Sequence, residues 1–283
     1  MPLPLILITN DDGYDARGIQ VLAGAVNRLG EVYIVAPDGG RSGVACAISS
    51  TTPVSFANYR HQSDIFHEAT MPDAFEATMP DAFPSGYSPS IHLYSCTGTP
   101  VDCVKLAIER ILPRRPDLIL SGINHGDNAS ISIHYSGTMG AAMEGCMKDI
   151  PSIGVSLYLR RGETYDDHPV PPDTLTAIAD LCERVLAQGL PQGVCLNINI
   201  PQSDHFGGWQ VCRQTRGQWT AEWLPTDSPN TFHLTGTFTD LEPHATDTDF
   251  AALRAGRCSI VPIHVDMTAH QAIETIKHNL VGT

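Results

Sequence analysis

An unbroken run of branched aliphatic residues near the start of the chain, Leu5–Ile8, constrains the fold most strongly. Such a run is typical of a strand that is buried on both faces of a parallel sheet. It leads into Asp11, Asp12 and Gly13, which we expect at the carboxyl end of the strand, the edge where open α/β sheets bind ligands. The two carboxylates could converge on a hard cation such as Mg²⁺ or Mn²⁺. Alternatively, one caps the next helix and the other is a solvated turn residue.

The segments that follow alternate between helical and strand patterns. Apolar residues recur at helical spacing from about Gly18 to Leu29, and Glu31–Ala36 is a second apolar run. Further strands are predicted at 116–121, 152–159 and 194–200, and further helices begin near residues 100, 137 and 172. This alternation predicts an α/β fold built from right-handed β-α-β crossovers. A chain of 283 residues can form one large domain of this kind, or a domain with an appended subdomain.

Two loops after predicted strands carry further candidate ligands. The glycine-rich loop 38–43 contains Arg41, which could meet an anion, and Ser42, whose hydroxyl could bind a metal, although an ordinary turn explains both. The loop 122–128 places Asn124 where it could add an amide oxygen to a metal that two carboxylates already hold. Its neighbour His125 is more often a solvent-facing or hydrogen-bonded side chain than a catalytic one in such a setting.

Two helix starts are candidate anion sites. Thr99 precedes Pro100 as a helix cap, and a cap of this kind can hold a polar ligand, although capping alone explains it better. Ser136, Gly137 and Thr138 put small side chains, hydroxyls and unpaired amides at the positive end of a helix, which suits a phosphate. A simple hydroxyl cap explains this second start equally well.

The remaining segments define the predicted organisation of the chain. Within a region of little periodicity the octapeptide 68–75 is repeated at 76–83, which indicates a loop insertion at about 57–90, or alternatively a lid over the site. Beyond residue 201 the alternation and aromatics predict hairpins at 209–223, 231–238 and 257–265. We therefore divide the chain into a catalytic core, 1–201, and a β-rich arm with a terminal helix, 202–283, that pairs with another subunit.

Charge and cysteine usage narrow the class of protein. Thirty-one acidic residues against 17 basic ones give a formal charge of −14, which argues against binding to nucleic-acid polymers or an anionic membrane. The eight cysteines are scattered, with no C-x-x-C pair and no zinc-site spacing, and are typical of a reducing compartment. The first residues do not have the pattern of a signal peptide, so we expect a cytoplasmic protein.

These landmarks together resemble one family, SurE (survival protein E), whose members are metal-dependent nucleotidases. The matching runs, in chain order, are Ile8–Gly13, Val35–Asp38, Arg41–Gly43, Gly98–Val104, Ser121–Gly126, Tyr135–Thr138 and Ala142–Gly145, with weaker likeness at Asn197–Pro201 and Thr246–Asp247. The chain departs from the family pattern at Asn128-Ala129-Ser130, in the duplicated octapeptide and at His233-Leu234. These departures concern substrate preference and the arm, and leave the metal ligands unchanged.

The resemblance implies a fold, an activity and a set of site residues. The implied fold is a Rossmann-like, doubly wound, mostly parallel sheet with a C-terminal arm of β-hairpins and helix, exchanged between subunits of a homodimer or homotetramer. The implied reaction is hydrolysis of nucleoside 5′- and 3′-monophosphates to nucleoside and phosphate. One divalent ion per subunit, Mg²⁺ or Mn²⁺, would be bound by Asp11, Asp12, Ser42 and Asn124.

The residues beside that ion suggest roles in the chemistry. We expect Ser136, Gly137 and Thr138 to hold phosphate oxygens, and we add Gly43 and Thr99 as candidate phosphate or substrate contacts. Asn10 could orient the attacking water or the phosphate, and Asp11 or Asp12 could accept the proton of that water.

Three other functions compete with this interpretation. A receiver domain needs a phosphorylatable Asp after its third strand, where this chain has Ser121–Asn124. A dinucleotide-dependent oxidoreductase needs G-x-G-x-x-G where this chain has carboxylates. A metal-binding oligomeric scaffold without catalysis is the remaining alternative, and metal-dependent phosphate release distinguishes it from the enzyme.

Overall fold

A computed structural model describes residues 3–59, 91–160 and 162–282 of the chain. The duplicated octapeptide and most of the predicted insertion therefore lie outside the described residues. The first residues of that insertion belong to a regular strand, Phe56–Tyr59, at one edge of the sheet, where the sequence predicted only loop.

The described residues form strands and helices in mixed order. The strands are β1 (Leu5–Thr9), β2 (Glu31–Pro37), β3 (Phe56–Tyr59), β4 (Ile91–Cys96), β5 (Leu118–His125), β6 (Ser152–Leu157), β7 (Val194–Ile200), β8 (Trp209–Val211), β9 (Gly217–Thr220), β10 (Trp223–Pro225), β11 (Phe232–Leu234), β12 (Thr237–Asp240) and β13 (Cys258–His264). The helices are α1 (Arg17–Val26), α2 (Pro100–Leu106, extended by the π-helical Ala107–Ile111), α3 (Gly137–Met147), α4 (Pro172–Gln188), α5 (Asp249–Arg254) and α6 (Ile273–Ile276, extended by Lys277–Val281). Short 3₁₀ turns occupy Asn27–Leu29, Ser130–Tyr135 and His270–Ala272.

Nine of these strands form one sheet in the order β3-β4-β2-β1-β5-β6-β7-β13-β8. The six strands from β4 to β7 are mutually parallel, while β3 and β13 run antiparallel to their neighbours β4 and β7. The chain winds outward from β1 to β2 and β4, then returns to β5 and winds the other way. The point where the winding reverses lies between β1 and β5, and it is where doubly wound sheets bind ligands.

The core forms two layers because successive side chains of β1 point to opposite faces. Ile6 and Ile8 pack with Ile19 of α1 in one buried cluster. Leu5 and Leu7 pack with a second cluster that includes residues of α2 and α3. All five residues of β1 are buried, which confirms the prediction of a strand covered on both faces and of a mostly parallel α/β sheet.

The C-terminal segment is divided between the sheet and separate hairpins. Residues 257–265 were assigned to the arm from the sequence, whereas β13 pairs with β7 in the main sheet from Ser259 to His264. The pattern within a strand does not encode its partner, and β7 offered an open edge beside it. Residues 217–240 instead form the two short ladders β9/β12 and β10/β11 outside the main sheet. The division at residue 201 stays a prediction.

Within the described part of the chain no helix has the length and hydropathy needed to cross a membrane.

Candidate active site

The acidic loop after β1 packs directly against the start of α3. Asp11 is only 3% exposed, and its carboxylate accepts a 2.6 Å hydrogen bond from the Thr138 hydroxyl. A side chain at Gly137 would have its Cβ 2.9 Å from the Cβ of Asp11, so the absence of one permits the contact. Ser136 caps the same helix by accepting a 3.0 Å bond from the amide of Met139. Both predicted features, the carboxylate and the helix start, therefore meet at one place.

Asp11 and Asp12 share an environment that opposes their ionisation. Burial raises the pKa of Asp11, although hydrogen bonds from Thr138 and from the backbone of Gly137 partly offset it. Burial also raises the pKa of Asp12, and the nearby charge of Asp11 adds to that effect. A 3.0 Å hydrogen bond from the amide of His125 to Asp12 acts in the opposite direction. A cation placed between the two carboxylates would lower both pKa values.

A cavity of about 410 Å³ opens beside this pair. Five of the predicted site residues line it together, although they come from four separate parts of the chain: Asp11, Ser42, Gly43, Asn124 and Ser136. The other lining residues are His125, Asn128, Ser132, Tyr135, Trp219, Glu222, Leu234 and Thr235. The switch point of the sheet is therefore a cleft, as expected for a ligand site.

Asn124 is held in a way that suits the role of a ligand. Its side-chain amide donates a 2.7 Å hydrogen bond to the carbonyl of Gly126, and no described residue donates to its Oδ1. Together with Ser42 and the two aspartates it makes up a set of carboxylate, hydroxyl and amide oxygens, which hard divalent cations prefer. The described residues contain no group of three His, Cys, Asp or Glu side chains arranged to hold a metal, so a metal here would need the hydroxyl and amide oxygens.

Two further predicted site residues, Asn10 and Thr99, are not among the described residues that line the cavity. Asn10 is fully buried, and its side chain donates a 2.8 Å hydrogen bond to the carbonyl of Gly13, which favours a role in shaping the acidic loop. Thr99 belongs to a capping box with Asp102: the amide of Asp102 donates to its hydroxyl at 3.2 Å, and its own amide donates to the carboxylate at 2.9 Å. That hydroxyl also donates to the carbonyl of Ala47 at 2.7 Å.

A residue that was not predicted from the sequence supports the end of β5. The hydroxyl of Tyr165 donates a hydrogen bond to the carbonyl of Ile123, the residue before Asn124. Its ring lies 5.9 Å from that of His125, and burial raises the pKa of the phenol well above its usual value. Tyr165 lies in a loop without periodicity, so no pattern in the sequence pointed to it.

Four residues of the hairpins that line the cavity were likewise not predicted from the sequence. Trp219, Glu222, Leu234 and Thr235 all lie within 217–240, the segment predicted to pair with another subunit. The sequence showed that this segment is aromatic and alternates between apolar and polar residues. It did not show which of these side chains line the cavity.

The fold and the site define a class of protein: a doubly wound α/β protein with two adjacent carboxylates and a helix N-terminus at one oxygen-lined cleft. The family model for Survival protein SurE matches residues 6–221. The chain belongs to the SurE family.

Relatives match over nearly the whole length of the chain. The 5′-nucleotidase SurE of Phocaeicola vulgatus is 40% identical, over 97% of this chain and 96% of its own. The 5′-nucleotidase SurE of Bacteroides thetaiotaomicron is 41% identical, over 96% and 95% of the two chains. A crystal structure of the SurE protein from Aquifex aeolicus is similar with a TM-score of 0.72 at 30% identity, covering 97% of this chain and 99% of that one. The resemblance noted from the motifs is thereby confirmed.

Proposed function

We propose that this protein is a metal-dependent phosphomonoesterase that hydrolyses nucleoside 5′-monophosphates, and also 3′-monophosphates, to nucleoside and phosphate. The observation that carries the proposal is the contact between Asp11 and the first turn of α3, in the same cleft as Ser42 and Asn124. An acidic metal-binding group and a helix N-terminus side by side suit a ligand that is an anion bound through a cation. The names of the curated relatives support the same activity.

The proposed cofactor is one divalent ion per subunit, Mg²⁺ or Mn²⁺, held by Asp11, Asp12, Ser42 and Asn124. Three of these four residues line the cavity, and Asp12 is held near them by the amide of His125. The fit rests on the all-oxygen donor set, on the burial of Asp11, and on the adjacent, partly buried Asp12, neither of which forms an ion pair with a described Lys or Arg. When bound, such an ion would polarise the phosphoryl oxygens and acidify a water molecule.

The residues of the chain supply the remaining steps. We assign proton acceptance from the attacking water to Asp11 or Asp12, the two carboxylates of the acidic loop. The start of α3, with Ser136, Gly137 and Thr138, would orient the phosphate, assisted by Gly43. The Thr138 hydroxyl already donates to Asp11, so its direct contribution is to position that carboxylate.

The test is phosphate release from a panel of 5′- and 3′-nucleoside monophosphates with Mg²⁺, Mn²⁺ or EDTA. We expect metal-dependent release that Asp12→Ala abolishes and that Asp15→Ala, an exposed aspartate three residues further on, leaves unchanged. The same panel ranks the base, the phosphate position and the metal. Absence of release from folded protein with every metal would favour the non-catalytic scaffold instead.

We also propose that the protein is a cytoplasmic homodimer or homotetramer that assembles through its arm. Trp223 and Phe232 of the hairpins are 63% and 54% exposed, and Leu280 near the C-terminus is 79% exposed. Apolar side chains in this density on an extended segment favour burial against another chain. All eight cysteines are free thiols, which supports a reducing compartment. Sedimentation of wild type and of the Trp223→Ser, Phe232→Ser double variant tests the assembly, and an unchanged mass would contradict the role of the arm.

A further inference from the structure

The hairpins β9–β12 form one continuous ribbon, residues 217–240, with a bend at its middle. Trp219 faces Phe238 in one ladder and Trp223 faces Leu234 in the other, so the register is the same on both sides of the bend. Between the two ladders Ala221 has a φ of 51° and Gly236 a φ of 143°. These two residues face each other in the shared register, and their positive φ angles redirect both strands at the same level.

The bend lies against the cavity. Glu222 and Thr235 sit at the bend, where the amide of Thr235 donates a 2.6 Å hydrogen bond to the carbonyl of Glu222. Both residues line the cavity, together with Trp219 before the bend and Leu234 beside it. The core contributes oxygen-rich groups to the same cavity, whereas the ribbon contributes an indole ring, an aliphatic side chain and one carboxylate.

Trp219 is anchored by a chain of aromatic contacts that leads back to the core. Its ring meets that of Phe238 edge to face, with centroids 5.6 Å apart, and Phe238 stacks on Phe250 of α5 at 4.8 Å. Gly217 permits this arrangement, because a Cβ there would lie 2.2 Å from the ring of Phe238. The indole is therefore placed before any ligand arrives, which lowers the entropic cost of binding.

Glu222 is a carboxylate with an open hydrogen-bonding capacity. Its side chain is exposed and makes no hydrogen bond or ion pair with any described residue. A carboxylate repels a phosphate, so Glu222 must face the other end of a phosphomonoester ligand. Because a carboxylate accepts two hydrogen bonds at once, it suits a pair of adjacent donors.

We propose that the bend of the ribbon is the nucleoside subsite of this cleft, an inference that rests on the proposed function. The base stacks on Trp219, and Glu222 accepts hydrogen bonds from two adjacent donors of the nucleoside. A nucleoside offers such a pair in two places, the N1–H and N2–H₂ edge of guanine and the 2′,3′-hydroxyls of ribose. The ribbon thus sets substrate preference, while the core end of the cleft holds the phosphate.

The experiment compares substrates with and without a nucleoside. Steady-state kinetics are measured for 5′-GMP, 5′-AMP, 2′-deoxy-5′-GMP and glycerol 2-phosphate with wild type, Trp219→Ala and Glu222→Gln. We expect Trp219→Ala to raise KM for 5′-GMP about tenfold, the scale of one lost base–aromatic stack, and to leave glycerol 2-phosphate within about twofold. Trp223→Phe is the control, since this tryptophan of the same ribbon is not among the described lining residues and the substitution keeps an aromatic side chain for the proposed assembly.

The Glu222→Gln variant identifies the donor pair. A loss of the preference for 5′-GMP over 5′-AMP assigns the carboxylate to the guanine edge, and a loss of the preference for 5′-GMP over its 2′-deoxy form assigns it to ribose. Unchanged preferences in both comparisons would overturn the role of Glu222. An equal effect of Trp219→Ala on all four substrates, or no effect on any, would overturn the role of Trp219.

Tryptophan fluorescence measures nucleotide binding and therefore tests the subsite independently of the proposed hydrolysis. Quenching of indole emission by 5′-GMP in the presence of Mg²⁺ requires binding but no turnover. We expect quenching in wild type that is reduced several-fold in Trp219→Phe and retained in Trp223→Phe. Quenching without hydrolysis would contradict the proposed function and support the subsite, whereas hydrolysis with equal quenching in both variants would contradict the subsite alone.

Discussion

The two sides of the cleft are built in opposite ways. The acidic loop follows a strand that is hydrogen bonded on both sides, and Asn10 and Asp11 are 0% and 3% exposed. The strands of the ribbon pair only with each other, and Trp223 and Leu234, next to its bend, are 63% and 68% exposed. One wall of the site is therefore fixed by the centre of the fold, and the other is an attachment that few core contacts restrain.

This structural difference matches the two functions that we propose for the cavity, phosphate chemistry on the core side and nucleoside recognition on the ribbon side. Charge chemistry needs groups held in a dry, fixed geometry, which the buried end of β1 and the start of α3 provide. Recognition of a variable leaving group tolerates a more adaptable wall, and the ribbon can change residues without disturbing the sheet. Substitutions on the core side should therefore affect turnover and folding, and those on the ribbon should affect substrate preference and assembly.

The sharpest test of this contrast is Asp11→Asn. We expect kcat to fall by about 10³-fold or more, the scale of removing a group that stabilises transition-state charge directly. Because burial raises the pKa of Asp11, the neutral amide should leave the metal-free protein at least as stable as wild type. Enzyme assays and thermal melts in EDTA measure the two effects. Retention of both metal affinity and turnover would show that Asp11 has been assigned the wrong role.

The free energy of unfolding should show the same asymmetry. Ile8→Ala removes a fully buried side chain from β1 and should cost about 2–5 kcal/mol. Leu224→Ala removes a side chain of similar size that is 51% exposed on the ribbon, and should cost less than about 0.5 kcal/mol in the isolated chain. Urea unfolding at two protein concentrations measures both. A Leu224 cost that grows with concentration would place this residue in an assembly interface, and an equal cost at both sites would contradict the contrast.

A smaller loss of activity than that of Asp11→Asn is expected from a substitution at Gly137, where α3 packs closely against Asp11. A methyl group at Gly137 would lie 3.1 Å from a carboxylate oxygen of Asp11 and 3.2 Å from Val44, so Gly137→Ala must shift the carboxylate. We expect kcat/KM to fall about 10- to 100-fold, in line with a displacement of about 1 Å at a reacting group. Gly39→Ala is the control, because a Cβ there meets no atom within 4 Å and its backbone is not in the left-handed region. Equal activities of the two variants would mean that the contact is not needed.

The sequence predicted the core side well because its signals are local. The apolar run of β1, the glycine-rich turn after it and the cap at Ser136 each constrain their own backbone, and parallel strands bring their ends together at one edge. That rule suffices to predict Asp11, Ser42 and Asn124 at one edge of the sheet, and all three line the cavity.

What escaped prediction depends on contacts between distant segments. The pairing of β13 with β7 and the hydrogen bond from Tyr165 to Ile123 join residues more than 40 positions apart, and no periodicity encodes them. The bend of the ribbon could not be predicted either, because alanine rarely adopts the positive φ that Ala221 has. Thr99 is a simpler case: its capping signal is confirmed by the capping box with Asp102, and its added role in substrate binding stays a prediction.

The smallest expected effect concerns the pH dependence of stability, and it again contrasts the core with the ribbon. Burial raises the pKa of Asp127 to about 6, so the folded protein holds a proton there that the unfolded chain, with a pKa near 3.8, has already lost. The stabilisation is complete below pH 3.8 and disappears as the pH rises through 6. Asp127→Asn should therefore match wild type near pH 4 and melt about 2–5 °C higher at pH 8. Asp227→Asn, an exposed carboxylate at the tip of the ribbon, should change neither melt. A difference between Asp127→Asn and wild type that is independent of pH would mean that Asp127 ionises in the fold as it does in the unfolded chain.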